Sequence, residues 1–359
     1  MATFLSILEF VLALGAIILL HELGHFIIGK LNKIEIEEFG IGFPPRALKL
    51  FTWQGTLFSL NWIPLGGFCR FKGEEDPAAP GGLSAANKWA RFTTLLGGSA
   101  MNLLLATVLF AVVISQFGIP QTNIVQIQAI VPNSPAEVAG FKPNDQLISV
   151  NGEKITSVEQ IISFTQSNLG KEMTILIKRD SQDIPIQVIP RLDPPAGEGP
   201  MGVVLTNPIK PANFFQSLPA GAQSTVGMLR QLVSLPVMFL RGEVDSSQMR
   251  LVSPKGIYDI YSQVRTETEQ ATNGDNKTVF LNLLTFFGII SAGLGFSNLL
   301  PIPAVDGGRI FFMLPELLFN KRIPARFENA VHAIGFTVLL AVMILVFIQD
   351  FINPIVLPK

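Results

Sequence analysis

Histidine and cysteine are nearly absent from this chain: three of the first and one of the second in 359 residues. A single thiol, Cys69, excludes an internal disulfide. Charge is scarce as well. Asp, Glu, Lys and Arg make up 15% of the residues, against about 25% in a soluble domain, which excludes an ordinary water-facing surface. The formal net charge of −1 leaves no basic field, so no nucleic-acid partner is expected. The N-terminal MATFLSILEF has no Lys or Arg, and its apolar run leads into HELGH instead of a small-residue cleavage site. It reads as a retained membrane helix and not as a cleavable signal.

What the chain has is long apolar runs, with a mean hydropathy of +0.44. A membrane span needs about 20 mostly apolar residues. Four segments qualify: 4–29, interrupted by Glu9 and HELGH, then 93–118, 278–300 and 330–349. Lys and Arg gather in the loop between the first two spans (Lys30 to Arg91) and between the last two (Arg309 to Arg326). By the positive-inside rule both loops are expected in the cytoplasm, with the termini and 119–277 outside. The stretch 224–240 carries Arg230 near its middle and reads as an amphipathic helix at the interface.

Residues 33–72 alternate in IEIEEF and hold β-formers in TLFSLNWI and FCRF, so they read as a β loop associated with the membrane. Residues 124–193 read as a small β-rich domain. Strand IVQIQAIV precedes a short helix SPAEVAGF closed by Gly140, and Asn151-Gly152 marks a hairpin turn. SVEQIISFTQ is a helix, MTILIKR and IPIQVIP are strands, and DPPAGEGP is a breaker run.

Two of the three histidines lie in HELGH, which fits H-E-x-x-H. On a helix His21 and His25 share one face and can ligate one zinc ion. Glu22 is turned away from that row and is placed to act as a general base on water. A catalytic zinc needs a third protein ligand, and the sequence offers Asp306 in NLLPIPAVDGGR or His332. The orientation of the spans favours Asp306, at the same membrane side as HELGH. Asp306 also reads as a turn residue before Gly307-Gly308, and Asn298 as a bridge between helices. Cys69 reads as structural and the glycines of 288–295 as a helix-packing face.

HELGH in the first span, the β-rich insert and NLLPIPAVDGG at the end of a later span resemble the site-2 protease family, in particular its bacterial RseP-like group. IGFPPRALKL and IPLGGFCRFKGEE fit the same resemblance, which covers essentially the whole chain. It implies a multi-pass α-helical membrane protein with four transmembrane helices, a cytoplasmic β loop and one PDZ-like extracytoplasmic domain. It implies Zn²⁺ held by His21, His25 and Asp306, Glu22 as general base, and Asn298 as a catalytic partner that holds substrate backbone or polarises the carbonyl. His332 has no counterpart among that family's ligands. Relatives often read G-P-x-x-N in the second span; here it is GGSAMN, with Asn102 kept and Ser99 in place of proline. Asn102, with Gly202 and Val203 in a peptide-binding loop, is expected to bind substrate. The expected organisation is 1–118 (first two spans and β loop 33–72), 119–207 (PDZ-like), 208–277 (linker with the interfacial helix) and 278–359 (last spans and the Asp motif). The expected activity is intramembrane cleavage of single-span membrane proteins, of anti-sigma-factor or signal-peptide-remnant type, after a first cut by a separate protease. The expected location is the plasma membrane, with the active site toward the cytoplasm.

Two other readings are open to the residues alone. A membrane-anchored scaffold with an inert metal site predicts that Glu22→Gln changes nothing. A metal transporter predicts flux and no need for an external peptide-binding domain. The intact Glu22 and the β-rich insert argue against them in turn.

Overall fold

The computed structural model describes residues 2–74, 76–195, 197–243 and 250–356. Glu75 of IPLGGFCRFKGEE, Ala196 of the breaker run and Lys359 of the C-terminal tail lie outside the described residues. The chain divides into two compact units, 1–113 with 218–359, and 114–217.

The larger unit is built on long helices. In chain order it holds α1 (Ala2–Leu31), the hairpin β1 (Ile36–Trp53) and β2 (Thr56–Phe71), and most of α2 (Lys88–Phe117). Among the described residues four helical segments are long and apolar enough to cross a membrane: Phe4–Leu31, Lys88–Phe117, Asn276–Ser297 and Ala325–Ile352. They match the four expected spans within a few residues at each end.

The hairpin curls on itself. Ile36–Ile41 pair with Gly67–Phe71 on one side and with Leu57–Leu60 on the other, while residues 48–53 flank Thr56–Leu60. Gly67–Phe71 therefore forms an outer edge of the sheet. Phe26 of α1 clamps the hairpin from below, with Phe39 at 5.4 Å and Phe58 at 5.5 Å between ring centres. Ile34, Ile36, Phe71 and Leu83 complete that core.

The smaller unit starts with β3 (Ile119–Pro120) and β4 (Val125–Ile130), then α3 (Pro135–Ala139), β5 (Gln146–Val150) and β6 (Glu153–Lys154). It continues through α4 (Val158–Ser167), β7 (Met173–Arg179), β8 (Gln182–Val188), β9 (Val203–Thr206) and β10 (Ile209–Lys210). The expected turn at Asn151-Gly152 joins β5 to β6, with φ of 48° and 87°. Ser134 and Ser157 cap α3 and α4 as the sequence pattern demands. The main sheet runs β8-β7-β5-β4-β9, so the strand that follows the proline-rich run closes against β4. Wholly buried Val125, Val150, Ile161, Met173, Ile175 and Ile177 fill its core.

Beyond it come α5 (Phe214–Leu240), α6 (Pro254–Ala271), α7 (Asn276–Ser297), α8 (Asp306–Phe319) and α9 (Ala325–Ile352). The stretch 224–240 lies inside α5, whose Gly221 and Thr225 pack on Thr107 of α2. Tyr261 of α6 packs among Phe10 of α1 and Phe286 and Phe287 of α7. Arg265 of α6 reaches Glu9 at 2.6 Å, so the one charge in the first half of α1 has a partner. Near the C-terminal end of α9, Asp350 is wholly buried. It accepts from Ser253 N–H at 2.8 Å, Ser253 Oγ at 2.5 Å and Arg250 Nη2 at 2.6 Å. The middle of α9 is largely exposed, as a lipid-facing helix would be.

Candidate metal centre

In α1, His21 and His25 lie one turn apart, both buried, with rings at 83° to each other. Their Nε2 atoms are 3.2 Å apart. Asp306 opens α8, and its Oδ2 lies 3.1 Å from each Nε2. This trio is the one group of potential metal ligands found among the described residues.

The sequence puts helix α2 hard against this face. A Cβ on Gly97 would stand 2.7 Å from the Gly24 carbonyl oxygen, and one on Gly24 would stand 2.8 Å from Met101 Cβ. Small residues of this kind let two backbones meet inside a membrane. The glycine of HELGH is thus a packing requirement. One residue further, Gly98 faces the two Nε2 atoms directly.

That close crossing lets α2 fix both rings. His25 Nδ1–H donates to the Thr94 carbonyl at 2.8 Å, which leaves its Nε2 as a lone pair. His21 Nδ1 meets the Asn102 side-chain amide at 3.3 Å, and Asn102 Oδ1 is buried with no partner among the described residues. Turning that amide about its last bond lets Oδ1 accept the Nδ1 proton, which removes the orphan and gives His21 the same tautomer as His25. Two imidazole lone pairs and a carboxylate oxygen then face one another. Three acceptors at 3.1–3.2 Å repel unless a cation lies among them. Tetrahedral ligands about 2.0–2.1 Å from a zinc ion stand about 3.3 Å apart, so the residues fit that metal.

The trio opens on a cavity of 390 Å³ lined also by Glu22, Phe68, Cys69, Phe71 and Asn298. Glu22 is beside the trio but outside it, its Cγ 3.6 Å from where a Cβ on Gly67 would be. Burial pushes the Cys69 thiol up, and Cys69 is not among the three residues whose ligand atoms converge.

The structure thus brings together His21, Glu22, His25, Asn298 and Asp306. It does not bring Asn102 to the cavity. Expected to bind substrate, Asn102 is wholly buried, with its side-chain amide against His21. Gly202 and Val203 belong to the smaller unit, in a groove of 80 Å³ between α4 and β9 with Ile161, Ile162 and Leu205. The Gly202 N–H is held by the Gly199 carbonyl at 3.0 Å. His332 does not join the trio; its Nδ1 accepts the Ala304 N–H at 3.0 Å. Sequence reasoning missed Thr94, Gly97 and Gly98. The signal available was a Gly-Gly pair inside an apolar span, which reads as close backbone approach.

Comparison with known proteins gives a consistent result. Residues 9–342 match the model of peptidase family M50. A protein of Clostridium acetobutylicum, provisionally named a zinc metalloprotease, is 31% identical over 357 residues, covering 98% of this chain and 99% of its own. One of Clostridium perfringens with the same provisional name is 33% identical over 345 residues, covering 96% and 98%. A solved PDZ domain of an SdrC-like protein from Listeria monocytogenes aligns with 23% of this chain and 85% of its own, at 17% identity and a TM-score of 0.21.

Proposed function

The chain belongs to peptidase family M50, and from that membership we propose that it is a zinc metalloendopeptidase of the membrane that hydrolyses peptide bonds in single-span membrane proteins. One observation carries the chemistry: His21 Nε2, His25 Nε2 and Asp306 Oδ2 converge within 3.1–3.2 Å of one another, with the His25 Nδ1 proton committed to the Thr94 carbonyl.

His21, His25 and Asp306 would hold the metal. The chemistry a zinc ion supplies there when bound is polarisation of a carbonyl and acidification of water. Glu22, lining the same cavity, takes the proton of the attacking water on its carboxylate and returns it to the leaving amine nitrogen. Asn298 donates its amide N–H to the carbonyl oxygen as charge develops there.

A transmembrane helix hides its carbonyls in its own hydrogen bonds and must be unwound before it can be cut. The outer edge Gly67–Phe71 supports a way to hold the unwound segment. Its Phe68, Cys69 and Phe71 line the cavity, and an extended chain adds naturally to a strand edge. The groove between α4 and β9 supports capture of a peptide end against the outer edge of β9. A first cut by a separate protease would create such an end. The substrates are of anti-sigma-factor or signal-peptide-remnant type, and the reaction is a step of regulated intramembrane proteolysis. The basic loops support a plasma-membrane orientation with the hairpin and metal centre toward the cytoplasm, and the termini and residues 119–207 outside.

The test is cleavage of a model single-span substrate, shortened on its outer side, by purified wild type and Glu22→Gln, both with zinc content measured. A mutant that keeps zinc and loses about 10²–10⁴-fold in rate supports the reading. Equal rates would remove Glu22 from the mechanism.

A further inference from the structure

We propose that His332 is a positioning residue for the metal centre: by accepting the Ala304 N–H it fixes the loop that presents Asp306. The proposal rests on the reading of Asp306 as a ligand.

Ala304 has φ of 81°, a left-handed conformation in a residue that carries a Cβ. Such a conformation costs free energy and persists only where the surroundings hold it. The loop can hold itself only in part, because Pro301 and Pro303 have no N–H to donate. His332 Nδ1, on α9, takes the Ala304 N–H at 3.0 Å. On the far side of Asp306, Gly307 N–H donates to the Asn298 carbonyl at 2.6 Å. The ligand residue is therefore clamped two residues before and one residue after.

A second contact shows that α9 is shaped for this approach. Gly335, three residues on and on the same face as His332, leaves room for Pro303; a Cβ there would stand 3.2 Å from the Pro303 carbonyl carbon. A Cβ on Gly308 would stand 3.1 Å from His332 Cε1, so the ring also backs the first turn of α8. With Nδ1 accepting, the ring proton lies on Nε2, which is buried and has no partner among the described residues. His332 also lines a polar cavity of 170 Å³ with Glu74, Arg91, Arg309, Arg322 and Glu328. The imidazole is thus oriented by its one strong bond to the loop.

The test compares full-length wild type, His332→Leu, His332→Asn and Asp306→Ala in detergent. Metal affinity is read by competition with a chelator, and ligand geometry by the visible spectrum of the Co²⁺ form. Asn Oδ1 sits roughly where Nδ1 does, whereas Leu offers no acceptor. His332→Leu should weaken metal binding about 10–100-fold and shift the Co²⁺ spectrum, lowering kcat with KM unchanged. His332→Asn should stay close to wild type. Wild-type affinity and spectrum in His332→Leu, or equal losses in Leu and Asn, would overturn the proposal. If His332→Leu does not fold, His332→Gln replaces it: its amide reaches past the Nδ1 position, so retention in Asn and loss in Gln supports the proposal, and equal behaviour overturns it. Full-strength binding in Asp306→Ala would overturn the ligand reading itself. Loss there with unchanged binding in His332→Leu would sink the positioning role alone.

Discussion

A Cβ on Gly98 would stand 2.6 Å from His21 Nε2, and the nearest atom to it would be His25 Nε2. Helix α2 is thus the floor of the metal centre, and the floor has no spare room. Overpacking costs about 1–3 kcal/mol. Here the atoms struck are the ligand atoms, so Gly98→Ala should weaken zinc binding roughly 10- to 100-fold while the apo protein melts within a few degrees of wild type. Competition titration of the purified variant decides; unaltered affinity would mean that α2 yields.

Asn102 and Thr94 divide the work of fixing the rings, and only Asn102 does so with a side chain. Asn102→Leu should cost about 10–100-fold in metal affinity, and Asn102→Asp, which keeps an acceptor for the Nδ1 proton, should retain most of it. A rise in KM with metal affinity untouched would instead restore Asn102 to substrate binding.

Glu38, buried in β1, accepts from Arg46 at 2.8 and 2.6 Å and from Ser59 at 2.7 Å. The Arg46 guanidinium first, and Ser59 after it, hold its carboxyl below the ordinary carboxylate value. A depressed carboxyl stabilises the fold above its unfolded pKa of about 4.3 and loses that contribution as pH falls through the lower folded value. Glu38→Gln should therefore loosen the hairpin at pH 7, and the difference from wild type should shrink below about pH 4. Hydrogen exchange of residues 36–71 at the two pH values reads it directly. A difference that does not depend on pH would point to shape and not charge.

Asp350 joins the last span to the start of α6 through Ser253 and Arg250. Removing one side of a buried, hydrogen-bonded charge costs about 3–5 kcal/mol. Asp350→Ala should lower the melting temperature in detergent accordingly, and Arg250→Ala should have a smaller effect because the Ser253 bonds remain. Equal melting of all three proteins would show that the Asp350 side chain does not hold α6.

The metal centre was legible in sequence because ionisable residues in apolar spans are costly, so His21, Glu22, His25 and Asp306 stand out against their surroundings. Strands β4, β5, β7 and β8 of the smaller unit were legible through alternation and the Asn151-Gly152 turn, whereas β3, β9 and β10 are too short to show it. Helix α6 was not foreseen, although Ser253-Pro254 is a sound start signal; its mean composition is polar and its apolar face becomes visible only against Phe10 and Phe286. Where Asn102 would point was not legible, because an amide in a span can turn to a substrate or to a neighbouring helix, and nothing local distinguishes the two. The tautomers of His21 and His25 depend on atoms more than sixty residues away, beyond the reach of any local pattern.

The two halves of the metal centre lie 285 positions apart in the chain, His21 near the beginning and Asp306 near the end. During synthesis the first span enters the membrane with its histidines long before the aspartate has been translated. A nascent or truncated copy therefore carries His21 and His25 without a complete ligand set, and the trio closes only once α7 and α8 have been made. The order of biogenesis delays the activity until the rest of the molecule, including the β-rich insert, is already in place.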